Sequence, residues 1–313
     1  MDLREASLFV TGGAGTLGRA IAARRRAEGW KGKFTVYSRH THILEQMKRD
    51  FPEVGIVQGD IRDSVTLYNA MVGHDVCLHL AAVKVIPVSE FQSIDTYKVN
   101  VEGSLNVCQM AVRAGLQSVL GISTDKACKS VNAYGSTKYL MEKIFQEYSR
   151  MDFKTEFHLV RYGNVLESNG SVIEAWKRSI LKGEAIKMTD PAMTRFWISP
   201  QQAVNYVLRS MNLASGHIYI PRMPGLSIGK LAKYCLADGY DYTYAIETIP
   251  VRPGEKMHEC LLTDEEGWYA LPCPGYFDLS PTTCPRKPMH IEAYTSDIAP
   301  ELTREELAEL LLE

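Results

Sequence analysis

Short apolar runs closed by glycine or polar residues recur along the first half of the chain. Between them lie stretches in which apolar residues return every three or four positions. Residues 7–11 form the first run, and residues 16–29 the first helical stretch. Residues 33–38, 55–59, 75–80, 118–123 and 157–161 read as further buried strands, and 93–114 and 134–150 as helices. Strands alternating with helices predict parallel pairing through right-handed crossovers, an α/β fold with a doubly wound parallel sheet. Past about Gly163 the rhythm changes. Helices near 172–182 and 200–213 are separated by short strands and by turns at Pro191, Pro200, Pro221, Pro224 and Pro253. This predicts a dinucleotide-binding domain over residues 1–165, with later segments returning to it, and a smaller C-terminal α/β lobe over 166–313, mainly for substrate. Residues 303–312 read as an amphipathic helix with a threonine cap, suited to packing or to an oligomer contact.

Composition narrows the function classes. The net charge of −2 gives no long-range attraction to nucleic acid or an anionic membrane, so an anionic ligand must be held by local devices. No apolar stretch approaches the roughly 20 residues needed to cross a bilayer, and the first apolar run is too short for a secretion signal. The seven cysteines are scattered without a C-x-x-C pair, which reads as reduced thiols in the cytoplasm. Cys273 and Cys284 are spaced to pair or to bind a metal, but no histidine cluster supports a zinc site, and no metal is expected.

The chemistry-bearing motifs come next. Residues 11–18, Thr-Gly-Gly-Ala-Gly-Thr-Leu-Gly, fit T-G-x-x-G-x-x-G between a strand and a helix. Gly12 makes the tight turn, Gly15 lets the backbone approach a pyrophosphate, and Gly18 lets helix and strand pack, which is the Rossmann pattern. Thr16 and Leu17 open the helix whose free N–H groups face the anion. The second strand ends in Ser38 and Arg39 rather than an acid, which suits the 2′-phosphate of NADP better than the 2′-hydroxyl of NAD; a solvated basic turn is the plainer alternative. Lys48 would add a second cation. Asp60 and Ile61 follow the third strand, where an acid meets the adenine amino group. Ala81 and Ala82 are small where the cofactor passes closely. Tyr134 and Lys138 form Y-x-x-x-K and share one helix face, so the ammonium and a cationic nicotinamide favour the phenolate, which takes a proton from a sugar hydroxyl.

The glycine motif, Ser123-Thr124 and Y-x-x-x-K together resemble the extended short-chain dehydrogenase/reductase family. Finer segments narrow the resemblance: Val-Tyr-Ser-Arg at 36–39, Gly-Asp-Ile-Arg-Asp at 59–63, Leu-Ala-Ala-Val-Lys-Val-Ile-Pro at 80–87 and Asn-Val-Glu-Gly-Ser-Leu-Asn-Val at 100–107. Ser-Thr-Asp-Lys-Ala at 123–127, Arg-Tyr-Gly-Asn-Val at 161–165, Met-Thr-Arg-Phe-Trp-Ile at 193–198 and Arg-Pro-Gly-Glu-Lys-Met-His-Glu at 252–259 complete it. Over nearly the whole chain they resemble the inverting UDP-N-acetylglucosamine 4,6-dehydratases of pseudaminic-acid and capsule biosynthesis. Thr124-Asp125-Lys126 is the discriminating triplet: retaining dehydratases carry Asp-Glu at the matching place, and 4-epimerases lack both. Two departures stand out. Lys84 is followed by Val85 where the family has histidine, and residues 266–292 match less clearly.

The resemblance implies that Tyr134, with Lys138, serves oxidation at C4 of the sugar. Lys126 is then the base at C5 and Asp125 the acid for the departing 6-hydroxyl, beside Thr124. The product is a 4-keto-6-deoxy sugar inverted at C5, and NADP is recycled. Side by side, Asp125 and Lys126 favour their ionised forms, opposite to those such roles require. Lys84 and Asn164 are implied substrate ligands, Arg195 and Arg252 diphosphate clamps, and Glu255 a partner for ribose. A UDP-sugar is the implied partner of a homo-oligomer, dimer or hexamer. The rival readings are a UDP-HexNAc 4-epimerase and a non-catalytic dinucleotide-binding scaffold.

Overall fold

The apolar runs of the first half become parallel strands in a computed structural model that describes residues 2–168, 170–236, 246–282 and 289–312. They are β1 Leu8–Thr11, β2 Phe34–Ser38, β3 Gly55–Gln58, β4 Val76–His79, β5 Ser118–Thr124 and β6 Glu156–Tyr162. Every residue of β1 and β4 is buried, as a strand covered by helices on both faces requires. β3, at the sheet edge, alternates between half-buried and exposed positions. Later strands extend the other side: β7 Ile218–Pro221 runs parallel to β6, β9 Tyr276–Leu279 antiparallel to β7, and β8 Ala270–Cys273 antiparallel to β9. The order is β8-β9-β7-β6-β5-β4-β1-β2-β3. The strand order switches where β1 lies between β4 and β2, and ligands of such sheets bind beyond the carboxyl ends at that point.

The helix expected over 93–114 forms in pieces, Ser93–Tyr97, a wider π turn Lys98–Glu102, and Gly103–Ala114. The wide turn carries the buried Asn100, whose side chain accepts from Val83 N at 2.8 Å and donates to Val83 O and to Thr137 Oγ1, both at 3.0 Å. An inserted residue that re-aims a side chain is the usual work of such a bulge. Here it pins the loop after β4, which borders the cleft. Helices Thr41–Asp50, Ser64–Met71, Ile86–Phe91 and Ile228–Leu236 were not foreseen from periodicity.

A second apolar core lies beside the sheet. Strands Gly225–Ser227, Thr194–Ile198 and Asn164–Val165 form a small sheet in that order. Trp176, Ile180, Trp197 and Leu226 pack there with Leu307 and Leu310 of the tail helix Arg304–Leu312. The tail is thus a packing element of this core. Asn164–Val165 follows β6 after only Gly163, so the chain passes directly from the large sheet to the small one. Cys273 is a free thiol, and Cys284 lies outside the described residues. No helix of the described residues is long and apolar enough to cross a membrane.

Candidate active site

A cleft of about 660 Å³ runs from the glycine loop after β1, past Thr124 and Tyr134, to Trp176 and Arg252. At its first end the backbone dictates the residues. Gly12 has φ +66°, and a Cβ there would lie 2.7 Å from the Ala81 backbone. A Cβ on Gly18 would lie 2.0 Å from the Gly13 carbonyl oxygen. The protein itself therefore requires glycine at both positions. Gly15 differs: its φ is −78°, and the nearest atom to an added Cβ is 3.4 Å away. A side chain there would occupy the space before helix Thr16–Glu28, whose N-cap, Gly15, offers no side-chain acceptor. That space is a cradle for an anionic group, and it fits the pyrophosphate of a nicotinamide dinucleotide. Thr16, Leu17, Ala81 and Ala82 line the same end.

Ser38 and Arg39 also line the cleft. Arg39 lies 3.7 Å from Asp60, whose carboxylate is held more closely by Arg62 at 2.7 Å. Gly59 and Ile61 reach the cleft wall while Asp60, between them, is engaged by these arginines and does not line it. Lys48 requires a correction. Its ammonium donates to the Pro52 and Val54 carbonyls at 2.6 and 2.8 Å, which satisfies the chain end of its own helix and keeps it out of the cleft.

Tyr134 and Lys138 both face the cleft from helix Ala133–Tyr148, capped by Asn132, whose Oδ1 accepts from Gly135 N at 2.7 Å. The expected lowering of the tyrosine is not seen. Burial pushes the Tyr134 phenol up to about 12, with Lys126 and a hydrogen bond to Thr124 opposing it. Burial brings Lys138 down to about 7 against the pull of Glu142, and its Nζ lies 2.8 Å from Met141 Sδ. The cation acting on the phenol in this structure is therefore Lys126.

The turn after β5 gathers the charge. Thr124 and Lys126 line the cleft, but Asp125 is wholly buried and does not. This corrects the expectation that Asp125 delivers a proton directly to substrate: it reaches the cleft only through its neighbours. Its Oδ1 accepts from Thr124 Oγ1 at 2.8 Å and Lys126 Nζ at 3.0 Å, while Oδ2 has no hydrogen-bond partner. Lys126 Nζ also donates to Asn164 Oδ1 at 3.2 Å and lies 3.4 Å from Glu259 Oε1. Glu259 is buried, lines the cleft, and stands 3.8 Å from Arg195 and 3.6 Å from Lys256. Burial opposes charge on all of these groups. Asp125 and Glu259 nonetheless hold Lys126 above the ordinary lysine range. Lys126, Arg195 and Lys256 hold Glu259 below the ordinary carboxylate range. Asp125 is pushed up by its burial, against Lys126 and with Glu259. The adjacent pair is thus shifted in the same upward direction, Lys126 by its two carboxylate neighbours and Asp125 by its burial.

Sequence reasoning quoted Glu259 and Lys256 within a matching segment without giving either a role. The signal was present, but contact with Lys126 across the fold is invisible to spacing. Arg195 stands at this cluster, donating to the Thr194 and Met257 carbonyls at 2.7 and 3.3 Å. Lys84 lines the cleft with an exposed side chain, and Arg252 and Glu255 line it 4.0 Å apart. Asn132 Nδ2 donates to the Gly254 carbonyl at 2.8 Å, tying this loop to the Tyr134 helix.

The sequence matches the family described as "Polysaccharide biosynthesis protein" over residues 8–280. It is 33% identical over 283 residues to the UDP-N-acetylglucosamine 4,6-dehydratase (inverting) of Campylobacter jejuni, covering 88% of this chain and 83% of that one. It is 34% identical over 329 aligned positions to a UDP-glucose 4-epimerase of Rickettsia conorii, covering 98% and 95%. Among solved structures it resembles Pen from Bacillus thuringiensis, with 30% identity, a TM-score of 0.91, and 100% and 99% of the two chains covered.

Proposed function

The chain belongs to this polysaccharide biosynthesis family, and on that premise we propose that it is a sugar-nucleotide dehydratase, removing water from UDP-N-acetylglucosamine between C5 and C6 with inversion at C5. The observation that carries this reading is the Lys126 ammonium set between two buried carboxylates, beside Tyr134 in one cleft. A 4-epimerase needs only oxidation and reduction at C4; a charged cluster in the same cleft as the tyrosine supplies the proton transfers that loss of water also demands.

NADP is the cofactor that the residues at the end of β2 favour, since Arg39 matches a phosphate and no acid stands in its place. The glycine loop, Ser38 and Arg39 would hold it, and when bound it supplies reversible oxidation at C4 and reduction at C6. Tyr134 takes the O4 proton. Lys138 stands one turn along the same face, and its buried amine titrates near neutrality. The C4 ketone makes the C5 hydrogen acidic, and the Lys126 cluster handles the protons at C5 and O6. Arg252 and Glu255 lie at the end suited to the nucleotide.

The relative of R. conorii favours a second reading, UDP-sugar 4-epimerisation, because its similarity covers almost the whole of both chains. One experiment separates the two. UDP-N-acetylglucosamine deuterated at C4 is incubated with the enzyme and NADP. Deuterium at C6 of a product lighter by one water is expected. Deuterium at C4 of a full-weight sugar whose C4 configuration has inverted would establish the epimerase and overturn the dehydratase.

A further inference from the structure

We propose that Lys256 is a positioning residue that couples occupation of the nucleotide end of the cleft to turnover at the sugar end. Its substrate is that of the dehydratase reading above, on which the proposal rests. One segment, residues 252–259, touches three functional regions. Arg252 and Glu255 line the cleft at the end suited to the nucleotide. The Gly254 carbonyl accepts from Asn132 Nδ2 at 2.8 Å, and the same side chain caps the helix that carries Tyr134. Gly254 has φ +80°, and a Cβ there would lie 2.7 Å from Asn132 Cβ, so the segment sits hard against that cap. Lys256 does not line the cleft. Its Nζ donates to the carbonyl of Cys128, the residue that closes the turn Asp125–Ala127, at 2.5 Å. It also lies 3.6 Å from Glu259 Oε2, and Glu259 Oε1 stands 3.4 Å from Lys126 Nζ.

Lys256 thus holds the reaction centre twice, by the backbone of its turn and by a carboxylate beside Lys126. The far half of the segment is fixed to the small sheet: the Met257 carbonyl accepts from Thr194 N at 3.0 Å and from Arg195 at 3.3 Å. The near half is a turn closed on itself by Glu255 N and the Arg252 carbonyl at 3.1 Å. A ligand that engages Arg252 and Glu255 therefore draws on a turn whose next residue, Lys256, is bonded to the backbone two positions past Lys126. Binding energy from the non-reacting half of a substrate speeds the chemistry only where it helps to place the reacting groups. Arg252 and Glu255 without that link would raise affinity alone. A residue that merely stabilised the fold would slow turnover by the same factor whether or not Arg252 was present.

A double-mutant cycle between Arg252 and Lys256, read on UDP-N-acetylglucosamine with NADP, tests the coupling. Arg252→Ala should raise KM and also lower kcat by about tenfold. Lys256→Met should lower kcat by about tenfold or more while KM stays within about threefold of wild type. Adding Arg252→Ala to Lys256→Met should lower kcat by no more than about a further threefold, because the link it acts through is already cut. Independent roles would multiply instead, to a loss of about a hundredfold in kcat, and that result would overturn the proposal. Lys256→Met with kcat at the wild-type level would overturn it as well, as would Arg252→Ala that raises KM and leaves kcat untouched. Lys256→Gln keeps a donor for the Cys128 carbonyl. It should show the same non-additivity with a smaller loss, and it carries the cycle should the methionine variant not fold. Wild-type enzyme that returns a sugar of full weight would overturn the dehydratase reading and not the coupling, which the same cycle then decides on that turnover.

Discussion

The two ends of the cleft solve the problem of holding charge in opposite ways. The dinucleotide end uses shape: Gly12, Gly15 and Gly18 clear space, and the amides opening one helix offer partial charge at fixed positions. The sugar end uses formal charge taken out of water, with Lys126, Glu259 and Asp125 in mutual contact or one neighbour apart. Backbone dipoles at a helix start are only partial charges, so holding them ready costs far less than taking a formal charge out of water. Buried ions are costly unless each one offsets another, so the second arrangement stands or falls as a group. On the proposed function, the first end serves binding and the second serves proton transfer.

The comparison breaks first at Tyr134, where the two ends meet. Tyr134→Phe should reduce turnover by about 10²- to 10⁴-fold while the thermal midpoint stays near wild type, since its side chain borders a cleft. Turnover at the wild-type level would show that a different group takes the O4 proton. The glycines give the next test. Gly18→Ala should destabilise by about 1–3 kcal/mol, because its Cβ has no room against the Gly13 carbonyl. Gly15→Ala should leave the midpoint near wild type and instead weaken dinucleotide binding, measured by calorimetry. Equal midpoints for the two variants would mean that the loop relaxes and shape is not what sets it. Arg39→Ala should reduce the preference for NADP over NAD by about tenfold or more, the value of one charge-assisted phosphate contact. Unchanged preference would place 2′-phosphate recognition elsewhere. Lys48→Ala makes the smallest claim: its ammonium is tied to the Pro52 and Val54 carbonyls, so cofactor preference should not move.

These outcomes track what the sequence can and cannot reveal. The glycine loop was legible because a tight turn and a close helix contact restrict residue type at fixed spacing. The alternation of strand and helix was legible for the same local reason. Lys48 was misplaced because sequence shows that a cation is near a strand end, not where a flexible side chain finds acceptors. Asp125 was read as touching substrate because two adjacent ionisable residues look equivalent in a string; the turn after β5 sends one inward and one into the cleft. Glu259 carries no sequence signal of its contact with Lys126, because that contact comes from a distant segment. The upward push on Tyr134 is not legible in the motif, because burial, which outweighs Lys126 in the chain without a bound dinucleotide, has no signature there.

Gly163 carries a consequence for modularity. The chain leaves β6 and enters the small sheet across this one residue, and a Cβ there would lie 2.6 Å from Phe196 Cβ and 3.3 Å from Asp125 Oδ2. A boundary drawn after residue 165 on the sequence therefore leaves Asn164, which holds Lys126, on one side and its paired strand Thr194–Ile198 on the other. A chimera that borrows a relative's sugar lobe at that point would inherit a mismatched seam through its own reaction centre. Grafting a new specificity requires transplanting both strands with the turn at Lys126, so recombination will trade this lobe only together with the chemistry it serves.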